Sequence, residues 1–79
     1  MNAKEILNKI KWDISAEPEE YFVFFIDRIS QKLSKIRYEE IKKIEGNFFV
    51  IEKNSREAEI PIHRIREIRK GDKLIWRRQ

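Results

Sequence analysis

The chain has 79 residues, of which 41% are charged, and its formal net charge is +4. This length suits a single domain, residues 1–79, built around one hydrophobic core. The lack of cysteine excludes disulfides and thiolate metal sites, and two glycines are too few for a phosphate-cradling glycine loop. No stretch resembles a signal peptide or a membrane span, so we expect a cytoplasmic protein without a membrane partner.

Residues 2–12, NAKEILNKIKW, have the pattern of an amphipathic helix. Asn2 can cap this helix, and Glu5, three residues later, suits its positive end. The apolar residues fall on one stripe, which consists of Ile6, Leu7 and Ile10. We expect the helix to end near Trp12, because Asp13 and Pro18 begin an acidic, turn-forming segment.

Two strands are predicted next. The apolar run YFVFFI at 21–26 predicts a strand that is covered on both faces. KIRY at 35–38 is the second candidate, and alternation along this strand would place Ile36 and Tyr38 on one face.

The remaining chain contains a weak internal repeat, RYEEIKKIEGNFFVIE and PIHRIREIRKGDKLIW. Each copy has an Ile-x-x-Ile pair, a glycine and an apolar strand. We expect each copy to form one helical turn followed by a hairpin, with Gly46 and Gly71 in the hairpin turns because glycine tolerates positive φ. Between the copies, KNSRE turns the chain so that AEIPI at 58–62 runs back. This strand should end or lie at a sheet edge, because Pro61 lacks a backbone donor.

These elements predict an α+β fold, with the N-terminal helix packed on a strongly curved antiparallel sheet or small open barrel of five or six short strands. Both tryptophans, Trp12 and Trp76, are expected to be buried. The predicted core consists of Phe22, Val23, Phe24, Ile26, Ile41, Phe49, Ile51, Ile65 and Leu74.

The positive charge is concentrated at the C-terminal end. Residues 1–62 carry eleven Lys and Arg against twelve Asp and Glu, whereas residues 63–79 carry seven against two. Such a basic segment attracts phosphate. Charge alone equally allows a solubilising tail that is balanced by the acidic first half.

Candidate chemistry favours binding over catalysis. A single histidine cannot form a histidine pair for RNA hydrolysis, and the sequence has no nucleophile elbow or dinucleotide fingerprint. The spacing of His63 and the carboxylates indicates no metal site. We therefore expect neither an enzyme nor a cofactor.

His63 and Arg64 follow the expected strand end at Pro61 and so begin a turn. Backbone amides at a turn, beside a guanidinium and an imidazole, can bind phosphate. In the alternative interpretation, His63 bonds a neighbouring carbonyl and fixes the turn. Arg77 and Arg78 are likewise either a frayed cationic terminus or phosphate contacts.

Four segments resemble, in order and spacing, an archaeal family described as an RNA cyclic-group-end recognition domain: ILNKIKWD, YFVFFIDR, IEGNFFVI and IPIHRIREIRKGDKLIWRR. The motif Ile-Pro-x-His-Arg-Ile-x-x-Ile at 60–68 is the strongest part of the resemblance. The resemblance implies a module that recognises RNA 3′ ends carrying a 2′,3′-cyclic phosphate or a 3′-phosphate. It also implies partners among RNA ligases and cyclic-phosphate-processing enzymes.

The same resemblance implies the site residues. His63 and Arg64 occupy the family's polar motif, and Arg28 matches its position after the first strand. Arg77 or Arg78 would then reach the adjoining RNA backbone. Single-strand recognition also predicts an aromatic platform for the last base, for which the candidates are Tyr38 and Tyr21. The alternative function is a protein-interaction adaptor that docks on an RNA-processing enzyme through a strand edge or a basic face.

Overall fold

The computed structural model describes residues 2–13, 15 and 17–79, which form one helix and two antiparallel sheets. The elements are α1 (Ala3–Trp12), β1 (Tyr21–Ile26), β2 (Leu33–Arg37), β3 (Ile41–Glu45), β4 (Phe48–Lys53), β5 (Arg56–Pro61), β6 (Ile65–Lys70) and β7 (Lys73–Arg77). One sheet has the order β2-β1-β6-β7 and the other has the order β3-β4-β5. The predicted α+β class is confirmed. The strands of the described chain, however, are seven rather than five or six, and they divide into two sheets that do not close.

The helix α1 begins with the expected capping box. The Asn2 side chain accepts a bond of 2.9 Å from the Glu5 amide, and the Glu5 carboxylate accepts one of 3.2 Å from the Asn2 amide. The stripe Ala3, Ile6, Leu7 and Ile10 is buried. Trp12, expected to be buried, is 76% exposed. At about 100° per residue, Trp12 lies roughly 200° around the helix from Ile10 and so faces away from the core. Trp76 is half-buried and packs against the core.

Two short 3₁₀ turns carry the chain between the sheets. The first crossover turn, Tyr38–Glu40, leads from β2 to β3, and the second, Ile62–Arg64, leads from β5 to β6. Each is followed by a hairpin whose turn contains a glycine with positive φ, 53° at Gly46 and 57° at Gly71. This confirms the predicted helical turn and hairpin in both copies of the repeat.

A β-bulge explains the Ile-x-x-Ile pairs. In β3, Ile41 pairs with Ile51 while Lys43 pairs with Val50, so the register shifts by one residue at Lys42. In β6, the register shifts in the same way at Arg66. One extra residue lets two side chains three positions apart face the same side of a strand. Ile65 and Ile68 are accordingly both fully buried.

The core lies between the two sheets and α1 and includes Val23, Phe49, Ile51 and Ile65, as expected. Ile36 and Tyr38 both pack against it, as alternation along KIRY predicts. Ile41 is partly buried and also packs against the core, whereas Phe22, Phe24 and Ile26 are partly buried without joining it. The prediction is wrong for Leu74, which is 39% exposed.

Strand β1 is buried on one face and partly covered on the other, so the predicted cover on both faces is only partial on the second. Val23 and Phe25 point into the core, whereas Phe22 and Phe24 lie beneath the Lys35 amine, at 4.3 and 5.8 Å from their ring centroids. A lysine stem and its ammonium can cover aromatic rings and remain in water. An unbroken apolar run therefore does not require two buried faces.

The four edge strands are β2, β3, β5 and β7. The prediction for AEIPI is confirmed, because β5 is an edge strand that ends at Pro61. Every edge exposes charged side chains, which are Lys35, Arg37, Lys42, Lys43, Glu45, Arg56, Glu57, Glu59, Lys73 and Arg77. Within the described ranges, no helix is long and apolar enough to cross a membrane.

Candidate nucleic-acid interface

A cleft of about 490 Å³ opens between the two sheets, and we call it the inter-sheet cleft. It is bounded by the end of β1, by β2, by β4 and β5, and by both crossover turns. Its cationic lining consists of Arg28, Lys35 and Arg64. Its acidic lining consists of Asp27, Glu40, Glu52 and Glu59. Most of the remaining wall is apolar.

Arg64 lies at the end of the second crossover turn and is half-buried. Its Nε is buried and has no hydrogen-bond partner within the part of the chain that the structure describes. Leaving a buried donor unpaired costs free energy, and native proteins rarely do so without a reason. Arg64 also lines the inter-sheet cleft, which makes it a candidate contact for a ligand there.

Arg28 reaches the same cleft from the loop after β1. Asp27 shapes this loop, because its carboxylate accepts a bond of 2.8 Å from the Ser30 amide and its backbone carbonyl accepts one of 2.8 Å from the Gln31 amide. The exposed Arg28 follows directly and makes no hydrogen bond or ion pair with any other described residue. The loop therefore presents a free guanidinium to the cleft.

His63 lies in a different place. It lines a shallower depression of about 360 Å³, together with Asn2, Lys4, Asn47 and Arg78. Successive residues of a 3₁₀ turn point about 120° apart, so His63 and Arg64 leave the turn on different sides. The sequence predicts the two as one site, whereas the structure assigns them to neighbouring depressions.

Side-chain hydrogen bonds from two arginines stabilise the second crossover turn. Arg66 donates a bond of 2.9 Å to the His63 carbonyl, and Arg78 donates bonds of 2.8 and 3.2 Å to the carbonyls of Ile65 and Ile62. Arg78 also lies 5.0 Å from the centroid of the Trp76 ring. The His63 ring itself makes no hydrogen bond within the described residues, so the turn does not depend on it.

Arg77 is held by an acidic partner. Its guanidinium lies 3.2 Å from the carboxylate of Glu67, which also accepts a bond of 2.8 Å from Arg69. The hydrogen bond from Arg69, with the charges of Arg69 and Arg77, lowers the pKa of Glu67 from its ordinary value, against a smaller opposing effect of desolvation. The structure thus places Arg77 and Arg78 in contacts within the protein rather than at the inter-sheet cleft.

Neither tyrosine lines the inter-sheet cleft. The Tyr38 hydroxyl donates a bond of 3.0 Å to the Leu7 carbonyl, and partial burial raises the pKa of this side chain. Tyr21 is half-buried, with the Lys70 amine 5.7 Å from its ring centroid. Tyr38 therefore joins the first crossover turn to the helix.

Phe48 is the aromatic side chain that sequence reasoning missed. It lines the cleft and is 43% exposed, whereas its neighbour Phe49 is fully buried. A signal was present in the sequence. Adjacent residues of a strand face opposite sides, so one phenylalanine of the FF pair had to point away from the core.

These features define the class: a small α+β domain whose two sheets enclose an arginine-bearing cleft. The chain belongs to the family of the MJ1316 RNA cyclic group end recognition domain, whose model matches residues 1–78. The resemblance seen in the sequence is thereby confirmed.

Several archaeal proteins are similar to the chain over most of their length. A UPF0248 protein of Thermococcus kodakarensis is 42% identical over 77 residues, which cover 95% of this chain and 89% of the relative. A UPF0248 protein of Saccharolobus islandicus is 35% identical over 81 residues, which cover 99% of this chain and all of the relative. One of Methanopyrus kandleri is 36% identical over 67 residues, which cover 84% and 85% of the two chains. No solved structure matches.

Proposed function

We propose that this protein binds the 3′ end of RNA that carries a 2′,3′-cyclic phosphate or a 3′-phosphate, and that Arg64 and Arg28 hold the terminal phosphate in the inter-sheet cleft. The observation that carries the proposal is the buried, unpartnered Nε of Arg64. A guanidinium offers several donors in a fixed plane, which suits a compact phosphate. The description of the family, RNA cyclic group end recognition, supports RNA as the ligand.

The other arginines of the basic segment support this choice of residue. Arg66, Arg69, Arg77 and Arg78 each donate to an acceptor within the protein. Arg64 has no such acceptor among the described residues. Of the five arginines between residues 63 and 79, it is therefore the one whose donors are most available to a ligand.

His63 has a separate role in this proposal. His63 is exposed and lies one residue before Arg64 on the turn. It lines the shallower depression together with Lys4. We expect these two side chains to meet the phosphate before the terminal nucleotide, while Arg78 supports the turn on which His63 stands.

The direct test is a titration of short RNAs that differ only at the 3′ end, which is a cyclic phosphate, a 3′-phosphate or a hydroxyl. Arg64→Ala should weaken binding of both phosphate ends by about 1.5–3 kcal/mol, the size of a hydrogen bond to a charged group. The hydroxyl end should lose much less. Arg56→Ala is the matched control, because Arg56 is an exposed arginine of β5 that does not line the cleft. Equal losses for all three ends would reduce Arg64 to general backbone attraction and contradict the proposal.

The proposed role is recognition, not catalysis. The module would present RNA ends to ligases or to enzymes that process cyclic phosphates. Incubation with cyclic-phosphate RNA, followed by mass spectrometry, should return the end unchanged. Conversion to a 2′- or 3′-phosphate that Arg64→Ala abolishes would instead show catalysis.

A further inference from the structure

We infer that the inter-sheet cleft also binds the terminal nucleobase, which packs on the exposed ring of Phe48. The module would then recognise a whole terminal nucleotide rather than a phosphate alone. This inference rests on the proposed function and deepens it.

The position of Phe48 links it to the expected phosphate contact. Phe48 begins β4 and pairs in register with Pro61, the last residue of β5. The second crossover turn starts at the next residue and ends at Arg64. Phe48 and Arg64 therefore lie close in the fold and line the same cleft.

The exposure of Phe48 is unlike that of its neighbours on the strand. Phe49, Val50 and Ile51 are all buried, whereas Phe48 is 43% exposed. An exposed aromatic face beside cations is the arrangement on which single-stranded nucleic acids stack their bases, and it tolerates any base. Stacking would also remove apolar surface of the ring from water.

Across the cleft from Phe48, a cation again lies next to an apolar side chain. Ile29 follows Arg28 in the loop after β1, lines the cleft and is 92% exposed. A base on Phe48 would have Ile29 as an apolar wall, with a guanidinium on each side of the nucleotide. The volume of about 490 Å³ lies within the usual range for small-molecule sites.

The test uses a short RNA with 2-aminopurine as its last base and a 2′,3′-cyclic phosphate at its end. Binding should change the fluorescence of this probe, because its base exchanges its stacked neighbour in the RNA for the Phe48 ring. Phe48→Ala should alter this fluorescence change and weaken binding roughly 5- to 150-fold, the range expected for one stacked base. Phe48→Trp, which keeps an aromatic face, should restore the affinity.

Phe24→Ala is the matched control, because Phe24 is a half-buried phenylalanine that does not line the cleft. A second RNA whose terminal nucleotide lacks a base separates stacking from folding, since Phe48→Ala should leave its affinity unchanged. Equal losses for the two RNAs in Phe48→Ala would overturn the inference while leaving phosphate recognition intact. A probe that stays silent on a bound RNA would do the same. Failure of the wild-type protein to bind any phosphate-ended RNA would overturn both proposals.

Discussion

Glu40 and Arg64 occupy the same position, the last residue, in the two crossover turns, and they line one cleft with opposite charges. The Glu40 carboxylate is held in place by a bond of 2.7 Å from the Arg37 amide. The Arg64 Nε has no partner among the described residues. The two copies of the repeat therefore differ in charge at this position, because the first places a carboxylate where the second places a guanidinium.

The first prediction follows from this pair. Glu40→Gln should raise the affinity for phosphate-ended RNA about 2- to 5-fold, an effect on the scale of exposed ionic contacts. The gain should be larger for a 3′-phosphate, with a charge of about −1.5 to −2 at pH 7, than for the singly charged cyclic phosphate. Fluorescence anisotropy with both RNAs measures the difference. Glu39→Gln, on the same turn but outside the cleft lining, should change neither affinity. A gain of the same size from Glu39→Gln would show that only net charge matters.

Salt provides the second prediction. Two phosphate contacts on single-stranded RNA predict a log–log slope of affinity against salt near −1.4, at about −0.7 per phosphate. Arg64→Ala should reduce the magnitude of the slope by up to about 0.7, since only Arg28 is then left to neutralise the terminal phosphate. Titrations at four or more salt concentrations give both slopes. An affinity that does not change with salt would favour the adaptor function.

The third prediction concerns the core. Phe49 is fully buried, and its ring meets that of Phe25 edge to face at 5.9 Å between centroids. Phe49→Ala should reduce the free energy of unfolding by about 3–5 kcal/mol, a large part of the stability of so small a domain. Phe24→Ala should cost clearly less, because Phe24 is only half-buried. Urea denaturation followed by circular dichroism compares the two, and equal losses would show that β1 buries both faces.

The fourth prediction concerns acid stability. The pKa of Glu67 is lowered in the folded state by Arg69 and Arg77, so ionised Glu67 stabilises the fold above its unfolded pKa. This contribution is lost as the pH falls through the lower, folded-state pKa. Glu67→Gln should therefore reduce the melting temperature at pH 7 and have little effect at pH 2–3. Glu59→Gln, an exposed carboxylate on β5, is the control. If Glu67→Gln lowers the melting temperature by the same amount at both pH values, the stabilisation by Glu67 is not ionic.

The sequence predicts the elements that depend on local chemistry. Asn2 and Glu5 form the expected capping box, and Gly46 and Gly71 stand in the expected hairpin turns. The division into two sheets could not be predicted in this way. The bulges at Lys42 and Arg66 were also hidden in the sequence, because they give strands the three-residue apolar spacing that usually indicates a helix.

The sequence predicts several residues of the candidate site but not how they are arranged. Arg28 and Arg64 come together at the cleft although they are far apart in sequence, whereas the consecutive His63 and Arg64 separate. A linear motif does not show in which direction a side chain on a 3₁₀ turn points, because that depends on the three-dimensional structure. For the same reason, the stacking candidates Tyr38 and Tyr21 lie away from the cleft, and the exposed aromatic ring there is that of Phe48.

The charged edge strands affect how the protein meets other molecules. A strand from another molecule that adds to a sheet must lie beside the side chains of the edge strand. The lysine, arginine and glutamate side chains on the edge strands oppose such pairing. The edges are thus protected against sheet-to-sheet aggregation, even at high protein concentration. They also disfavour a protein partner that would dock by extending a sheet. The unpartnered Nε of Arg64, by contrast, lies on a crossover turn that lines the inter-sheet cleft, away from the rows of edge side chains.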